Sequence, residues 1–548
     1  MLVDARRLTT GTELQADVCV VGAGVAGIAI ARELVGMPIS VCVLESGDRN
    51  PDRRGRDAVR GPSTGYTYYR HTLARARAFG GSSRLWPLDE GWRARPLDPI
   101  DFERRPGIEP SGWPLEGSEL TSYYARAQAV CDLGPADYDV ASWEDSRTPR
   151  LALDPRNVQT TMFQLGSTDF SRYIDELQRA ENVKIVLRAT VTDIRTDENP
   201  QVVDRVTVAN GEGGSLAVRA KVFVLAAGGI DNARLLLASN SRHAQGLGNQ
   251  HDLVGRYFME RLATRSGVLI PADPTLAERA GLYITHHVGT TRVEGTLRLD
   301  DAVIRREQLL NCVFFLLPRS RAFTADGVRS IATLAKGLKR QPGPGHTRKH
   351  VANIARDLPQ IAALARERLP GQASAGEEVL VVRTQAEQLP NPASRVRLDH
   401  RRDRFGLLRA HLEWRLSEED RRSIRRTQEL LDSELRRAGV GRLEHKLGSE
   451  EPPAMFEGNK HHMGTTRMAD DPKQGVVDRD GRVHTTANLY IAGSSVFPTA
   501  GASNPTLTIV ALALRLAENL AEVVNVRHRV GVDQEPSSPP PASASDDH

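Results

Sequence analysis

Two short runs near the C-terminal end of this sequence carry side chains that could move a proton and stabilise a charge. The first is His461-His462-Met463-Gly464-Thr465-Thr466-Arg467-Met468, and the second is Ala500-Gly501-Ala502-Ser503-Asn504-Pro505-Thr506-Leu507-Thr508. An imidazole has an ordinary pKa near 6.5, so in its neutral form it can take the proton of a hydroxyl while hydride leaves the carbon beneath. Asn504 is a good N-cap and Pro505 suits the first helical position, which predicts a helix from Pro505 through about Val523. The N–H groups at the start of that helix would stabilise negative charge developing on a ring placed against them. Adjacent residues of an extended segment point opposite ways, so His462 reads as structural. No metal site follows from the pair either, because the two rings diverge and no third ligand is evident.

Hydride needs an acceptor, and the other end of the chain offers a place for one. Gly22-Ala23-Gly24-Val25-Ala26-Gly27 follows the apolar run Val18 to Val21 and opens a stretch of helical periodicity, after which Ile39 to Glu45 returns to β-branched character. In this strand-turn-helix-strand unit the glycines let the backbone approach a pyrophosphate and aim a helix N-terminus at it. Glu45, at the end of the second strand, is placed to accept hydrogen bonds from an adenosine ribose. The pattern alone fits FAD and NAD alike. Its position close to the N-terminus of a long two-lobed chain is associated more often with flavoproteins.

The elements that must bring these two ends together are legible in outline. At 548 residues and 40% hydrophobic content, the chain calls for two packed lobes with appendages. Strands are expected at 183–187, 202–208 and 222–226, and the glycine pair Gly228-Gly229 leads into a helix at 232–238. A helix is also expected over 120–130. From Val379 to Leu416 three alternating runs predict one antiparallel sheet with a face over a pocket, and Gln385 and Glu387 share one face of its first strand, where they could meet a polar substrate. Ser417 with Asp420 forms a capping box ahead of a helix over 418–438 that Gly439 closes. Residues 319–350 carry eight Lys/Arg against the single Asp326, and read as a solvated helical excursion, with a lid, an oligomer contact and a docking surface as the other readings.

Several function classes drop out. Lys+Arg exceeds Asp+Glu by only 73 to 69, too little for a nucleic-acid footprint. Cys19, Cys42, Cys131 and Cys312 lack CxxC spacing, so neither a disulfide framework nor a zinc site follows. No apolar signal region or membrane-spanning run is evident, and a cytoplasmic enzyme is expected.

Taken in order, GAGVAG, FGGSSRLW (Phe79 to Trp86), SGWP, AAGGIDNARLL, VGRYFME, HHMGTTRM, NLYIAGSSVFPT and NPTLTIVALALR closely resemble the motifs of the glucose-methanol-choline (GMC) oxidoreductases over about residues 15–525. The resemblance implies an α/β chain with a Rossmann-like FAD-binding domain (1–100, 181–260 and 450–525) and a second, α+β substrate domain built on an antiparallel sheet (101–180 and 261–449). Residues 526–548, ending EPSSPPPASASDDH, read as a disordered tail. It places His461 and Asn504 at the catalytic positions. It also points to Gly80, Gly81, Ser82 and Ser83 as a second flavin-embracing loop, and to Ala227 and Gly228 as a later flavin-contacting turn. Thr190 and Val191 would lie beside adenine, while Gly493, Ser494 and Thr506 would lie along the pyrophosphate or pyrimidine. Members with a covalently tied flavin carry a His just before the tryptophan of the second loop; here Leu85 stands there, and non-covalent FAD is expected.

Within the family the closest likeness is to the branch of pyranose and glycoside oxidases, which implies a sugar, glycoside, aminosugar or cyclitol as donor and oxygen or a quinone as acceptor. A non-carbohydrate alcohol is the alternative donor. A nicotinamide dehydrogenase would leave His461 and Asn504 idle, a flavin monooxygenase would consume NAD(P)H, and a flavin-binding protein without catalysis would not be bleached by any alcohol.

Overall fold

The computed structural model describes residues 1–199, 201–325, 327–328, 330–331, 334, 347–367, 378–445 and 456–532. Val18–Val21 and Val41–Leu44 are buried without alternation, as parallel strands covered on both faces must be. They lie at the centre of an eight-stranded sheet in which Leu2–Asp4, Val183–Leu187, Val41–Leu44, Glu13–Val21 and Ser215–Leu225 run parallel. Leu489–Ile491 joins Ser215–Leu225 in parallel, and Val203–Ala209 and Thr190–Thr196 complete the sheet as an antiparallel flap. The helix Val25–Glu33 packs against the C-terminal helix Thr506–Val532, which in turn packs against the helix Thr121–Cys131. This is a Rossmann-type α/β arrangement.

A second, nine-stranded sheet is antiparallel, in the order Gly441–His445, Leu262–Pro271, Glu378–Ala386, Cys312–Ser320, Thr291–Leu299, Val158–Gly166 and Trp92–Ala94, with two short strands at its margins. The helix Glu418–Arg437 begins on the expected Ser417–Asp420 capping box and covers one face of this sheet, where Gln428 donates to the Thr384 hydroxyl at 3.4 Å. Residues alternating with Thr384 therefore face the other way, towards the first sheet. One continuous apolar core runs through both sheets.

The structure differs from the sequence reading in several places. Trp92–Ala94, within the segment 1–100 expected to bind FAD, pairs with Val158–Gly166 in the second sheet. Conversely, the helix Thr121–Cys131 packs on the C-terminal helix beside the first sheet, although it falls within 101–180. The three runs expected to form one sheet over 379–416 separate: Glu378–Ala386 lies in the second sheet, whereas Arg395–Arg402 and Leu408–Trp414 form a small third sheet with Ser63–Gly65 and pack on the helix Gly228–Ala238. Period-two patterning marks a strand's buried face but not the partner that buries it. The last helix continues to Val532, past the predicted Val523 and into the segment expected to be disordered, because helical hydrogen bonding propagates once the buried turns are formed. The remainder of that tail, 533–548, lies outside the described residues, as does half of the basic stretch 319–350. At the end of that stretch and after it, Thr347–Arg356 and Leu358–Glu367 are helical.

Candidate active site

Four turns, three of them at the ends of the first sheet's strands, border a crevice that opens to solvent. Its walls are main chain. Gly22 has φ +110°, and a Cβ there would sit 2.7 Å from the Ala226 carbonyl oxygen. On Gly81, at φ +56°, a Cβ would sit 2.8 Å from the Gly24 Cα. Gly22, Gly24, Gly81, Ser82, Ala227 and Gly228 line the crevice on these turns, and Gly493 and Ser494 do so on the fourth. Gly27 and Gly80 lie outside it, contrary to expectation. A Cβ on Gly27 would strike the Gly22 carbonyl at 2.0 Å, so this glycine sets the closeness of turn and helix. Gly80 instead donates its N–H to Ala23 at 2.8 Å and joins the two turns. Ser83 reaches the crevice but its hydroxyl donates to Gly80 at 2.6 Å and accepts from Phe170 N–H at 3.1 Å, which fixes the loop.

Glu45 lines the far end and accepts the N–H groups of Ala23 at 3.0 Å and Gly47 at 2.7 Å, while burial pushes its carboxyl up to about 6. Thr190 and Val191 stand nearby. Sequence reasoning missed Arg77. Together with Arg75 and Arg234 it surrounds the buried Asp231, at 3.5, 2.7 and 3.5 Å respectively, and these three guanidiniums hold the Asp231 carboxyl far below the usual range against the opposing effect of burial. Arg77 Nη1 is buried without a partner among the described residues and lines the crevice, a donor suited to a phosphate oxygen. Its only signal in the sequence is the density of arginines between Arg70 and Arg95. Backbone-lined turns, a carboxylate at the far end and an orphaned guanidinium donor fit an adenine dinucleotide.

At the near end His461, Pro505 and Thr506 line the same crevice. The segment carrying His461 is clamped by Glu260, which is fully buried and accepts the N–H groups of Asn459 at 3.0 Å and of His461 at 2.9 Å. Its other oxygen accepts the Tyr68 hydroxyl, and Tyr68 meets His462 Nε2 at 2.8 Å. His462 is thus engaged by this support, although it lines the crevice together with His461. Burial, and after it the charges of Arg261, Arg383 and Lys460, hold His461 well below the ordinary imidazole value, so the ring is neutral and able to accept a proton. Its Nδ1 is buried with no partner among the described residues.

Asn504 does not cap the C-terminal helix as predicted. Its carboxamide oxygen accepts from Arg261 Nη1 at 2.8 Å and from Gln385 Nε2 at 3.5 Å, and the first helical bond runs from Ile509 N–H to Pro505. Gln385 is buried and also accepts from Asn459 Nδ2 at 2.9 Å, so Asn504, Gln385 and the His461 segment are tied together. With its oxygen engaged, Asn504 is left with an N–H₂ donor. Glu387 is elsewhere. It lies one residue past the end of its strand and forms a fully buried two-pronged pair with Arg105, at 2.7 and 2.9 Å, so the expected substrate role is withdrawn. Glu260 and Arg261, which sequence reasoning did not single out as site residues, had no spacing signal beyond Glu260 closing the VGRYFME motif and Arg261 following it.

Two family profiles match the sequence. One, described as FAD dependent oxidoreductase, covers residues 17–343, more than half of the chain, and the other, described as GMC oxidoreductase, covers residues 390–513. Paromamine 6'-oxidase from Streptomyces fradiae is 27% identical over 94% of this chain and 93% of its own length. C-glycoside 3-oxidase from Arthrobacter globiformis is 37% identical over 22% of each chain. Among solved structures, formate oxidase superposes with a TM-score of 0.52 at 17% identity, covering 95% of this chain and 100% of that one, a likeness of fold. Among the described residues no helix is long and apolar enough to cross a membrane, and no His/Cys/Asp/Glu group could hold a metal ion.

Proposed function

This chain belongs to the FAD-dependent oxidoreductases and, within them, to the GMC oxidoreductases, and from that membership we propose that it oxidises one hydroxyl of a sugar, glycoside, aminosugar or cyclitol to a carbonyl. FAD is the cofactor and supplies the hydride acceptor. Gly22, Gly24, Gly81, Ala227, Gly228 and Gly493 hold it by main-chain contact, with Glu45 and Val191 at the adenosine end, Arg77 and Ser82 towards phosphate, and Ser494 and Thr506 near the ring. Attachment is non-covalent, a reading supported by the apolar Leu85 at the position of the tethering histidine. Four unpaired, buried cysteines fit a reducing compartment, and so a cytoplasmic location.

In this reading His461, neutral in its buried setting, removes the hydroxyl proton as hydride leaves the adjoining carbon. Asn504 donates its N–H₂ to the same oxygen and stabilises the charge that grows there. The observation that carries the proposal is the tethering of the His461 main chain and the Asn504 carboxamide by the consecutive residues Glu260 and Arg261, with His461 lining a glycine-walled crevice. The two relatives above, which by their names oxidise paromamine and C-glycosides, support a carbohydrate donor. The test is anaerobic mixing of the purified holoprotein with sugars, glycosides, aminosugars, cyclitols and simple alcohols. Bleaching of the flavin by a carbohydrate class is expected. Bleaching by simple alcohols alone would move the donor outside carbohydrates, and none by any would refute the oxidation. Readmission of oxygen or a quinone then identifies the acceptor.

A further inference from the structure

The wall over the reacting end carries two guanidiniums, Arg261 and Arg383, that form no direct ion pair among the described residues. Arg383 and Gln385 alternate with Thr384 and so face inward, and Arg383 lies in register with Phe315 on one neighbouring strand and Arg265 on the other. Arg93 is matched, since it pairs with Glu294 at 2.6 Å. Neither Arg261 nor Arg383 has a carboxylate within 4.0 Å among the described residues. Arg261 is fully buried and spends one N–H on Asn504, while its Nε and Nη2 have no partner among the described residues. Arg383 reaches Asn459 Oδ1 at 3.4 Å and lies against the Phe315 ring at 5.9 Å. Glu260, the nearest acid in sequence, already accepts from Tyr68, Asn459 and His461. Burial holds both arginines below the usual value, and the charge of Arg383 adds to this at Arg261 as that of Arg93 does at Arg383. Buried charge of one sign is costly unless a counter-charge arrives, and a guanidinium is shaped for carboxylate or phosphate oxygens.

Resting on the alcohol-oxidising reading above, we propose that the substrate is anionic: a sugar-like hydroxylated compound whose carboxylate or phosphate is bound by Arg383, with Arg261 adding its charge from behind Asn504, while the reacting hydroxyl meets His461 and Asn504. An aminosugar is disfavoured, since its ammonium would be brought up to two unpaired guanidiniums.

The test compares matched donors in anaerobic reduction of the holoenzyme: glucose, glucuronate, glucose 6-phosphate and glucosamine. An anionic member is expected to bind at least about 10-fold more tightly than glucose, the scale of one charge-assisted hydrogen bond, and glucosamine more weakly. Preference for glucuronate identifies a carboxylate, preference for glucose 6-phosphate a phosphate, and Arg383→Gln should erase either. Reduction by glucose or glucosamine as readily as by both anions overturns the proposal and leaves the oxidation reading standing. A second measurement titrates acetate and inorganic phosphate against the flavin absorbance. A saturable change that weakens about 10-fold or more in Arg383→Gln supports the anion site even if none of the sugars bleaches the flavin, a result that would count against the oxidation reading alone. No saturable change with either anion overturns the proposal.

Discussion

Replacing Glu260 by Gln tests whether one buried carboxylate both positions His461 and sets part of the protein's response to pH. Burial raises this carboxyl from 4.5 to about 7, against the lowering effect of the hydrogen bonds it accepts from Tyr68, His461 and Asn459. A carboxyl whose folded-state pKa lies above its unfolded value stabilises the fold in its protonated form. That stabilisation is complete below about 4.5 and is lost as pH climbs to about 7. A rise of this size corresponds to roughly 3 kcal/mol at 1.36 kcal/mol per pKa unit. The carboxamide of Glu260→Gln does not titrate, so this share of the pH dependence should vanish. With an unfolding entropy of about 2.1 cal/mol/K per residue, 3 kcal/mol moves Tm by ~3 °C in a chain of this length. Thermal unfolding of native and variant holoprotein between about pH 5 and pH 8 measures the difference, which should move in the variant's favour as pH rises. Glutamine also keeps an oxygen for the N–H groups of Asn459 and His461, and its N–H₂ can face the Tyr68 hydroxyl, which can donate to His462 instead. Flavin reduction should therefore slow by less than about 10-fold, because the acceptor for the His461 segment survives. A Tm difference that stays constant across this range would refute the assignment of the raised pKa to Glu260.

His461→Ala should keep its FAD and reduce it at least about 10²-fold more slowly in rapid mixing, the lower range for a lost general base. Because burial and then Arg261 hold His461 well below the ordinary value, the native reduction rate should stay flat from about pH 8 down to pH 6; an inflection near 6.5 would contradict the neutral, buried base. Arg261→Met removes a buried charge with two unpartnered nitrogens, so Tm should hold or rise, while flavin reduction should fall about 10-fold as Asn504 loses the partner that orients it. A fall in Tm without a change in reduction would reverse that interpretation. Gly81→Ala places a Cβ 2.8 Å from the Gly24 Cα at a positive φ, and the ratio of flavin to protein absorbance should drop as the two turns are forced apart.

The parts of this structure that could be read in advance are those in which short spacing and backbone conformation coincide. GAGVAG after a fully apolar run defines a strand, a turn and a helix within a dozen residues, and the left-handed φ of Gly22 shows why a glycine is needed there. The failures have a common cause in tertiary competition. Asn504 has the right identity for a cap, but a buried guanidinium offers its side-chain oxygen a stronger, charged donor than a helix N–H. Alternation put Glu387 on the face of Gln385, yet the strand ends at Ala386, and Arg105, far away in sequence, draws Glu387 into a buried pair. Arg395–Arg402 and Leu408–Trp414 alternate as strands should, and nothing in their pattern names Ser63–Gly65 or the helix Gly228–Ala238 as what they pack on. Arg77, Glu260 and Arg261 act through contacts with residues remote in sequence, and local pattern is silent on all three.

Glu260 and Arg261 show how the two sheets come to act on one reaction. They are consecutive residues, set just ahead of the strand Leu262–Pro271, and their side chains diverge: one reaches the main-chain N–H of His461, the other the carboxamide of Asn504. That strand is paired with Glu378–Ala386, which carries Gln385 and Arg383, so the dipeptide is anchored in the second sheet while His461 lines the crevice of the first and Asn504 directly precedes Pro505, which lines it too. The two groups proposed to react, on separate segments, are thereby referred to a single point. The divergence also explains why an acid and a base stand side by side at full burial without pairing with each other. The acid is saturated by N–H and O–H donors, and the base holds a neutral acceptor, which leaves its remaining positive charge directed at whatever the wall binds. Positioning of the chemistry and selection of the substrate's charge thus come from the same pair of residues.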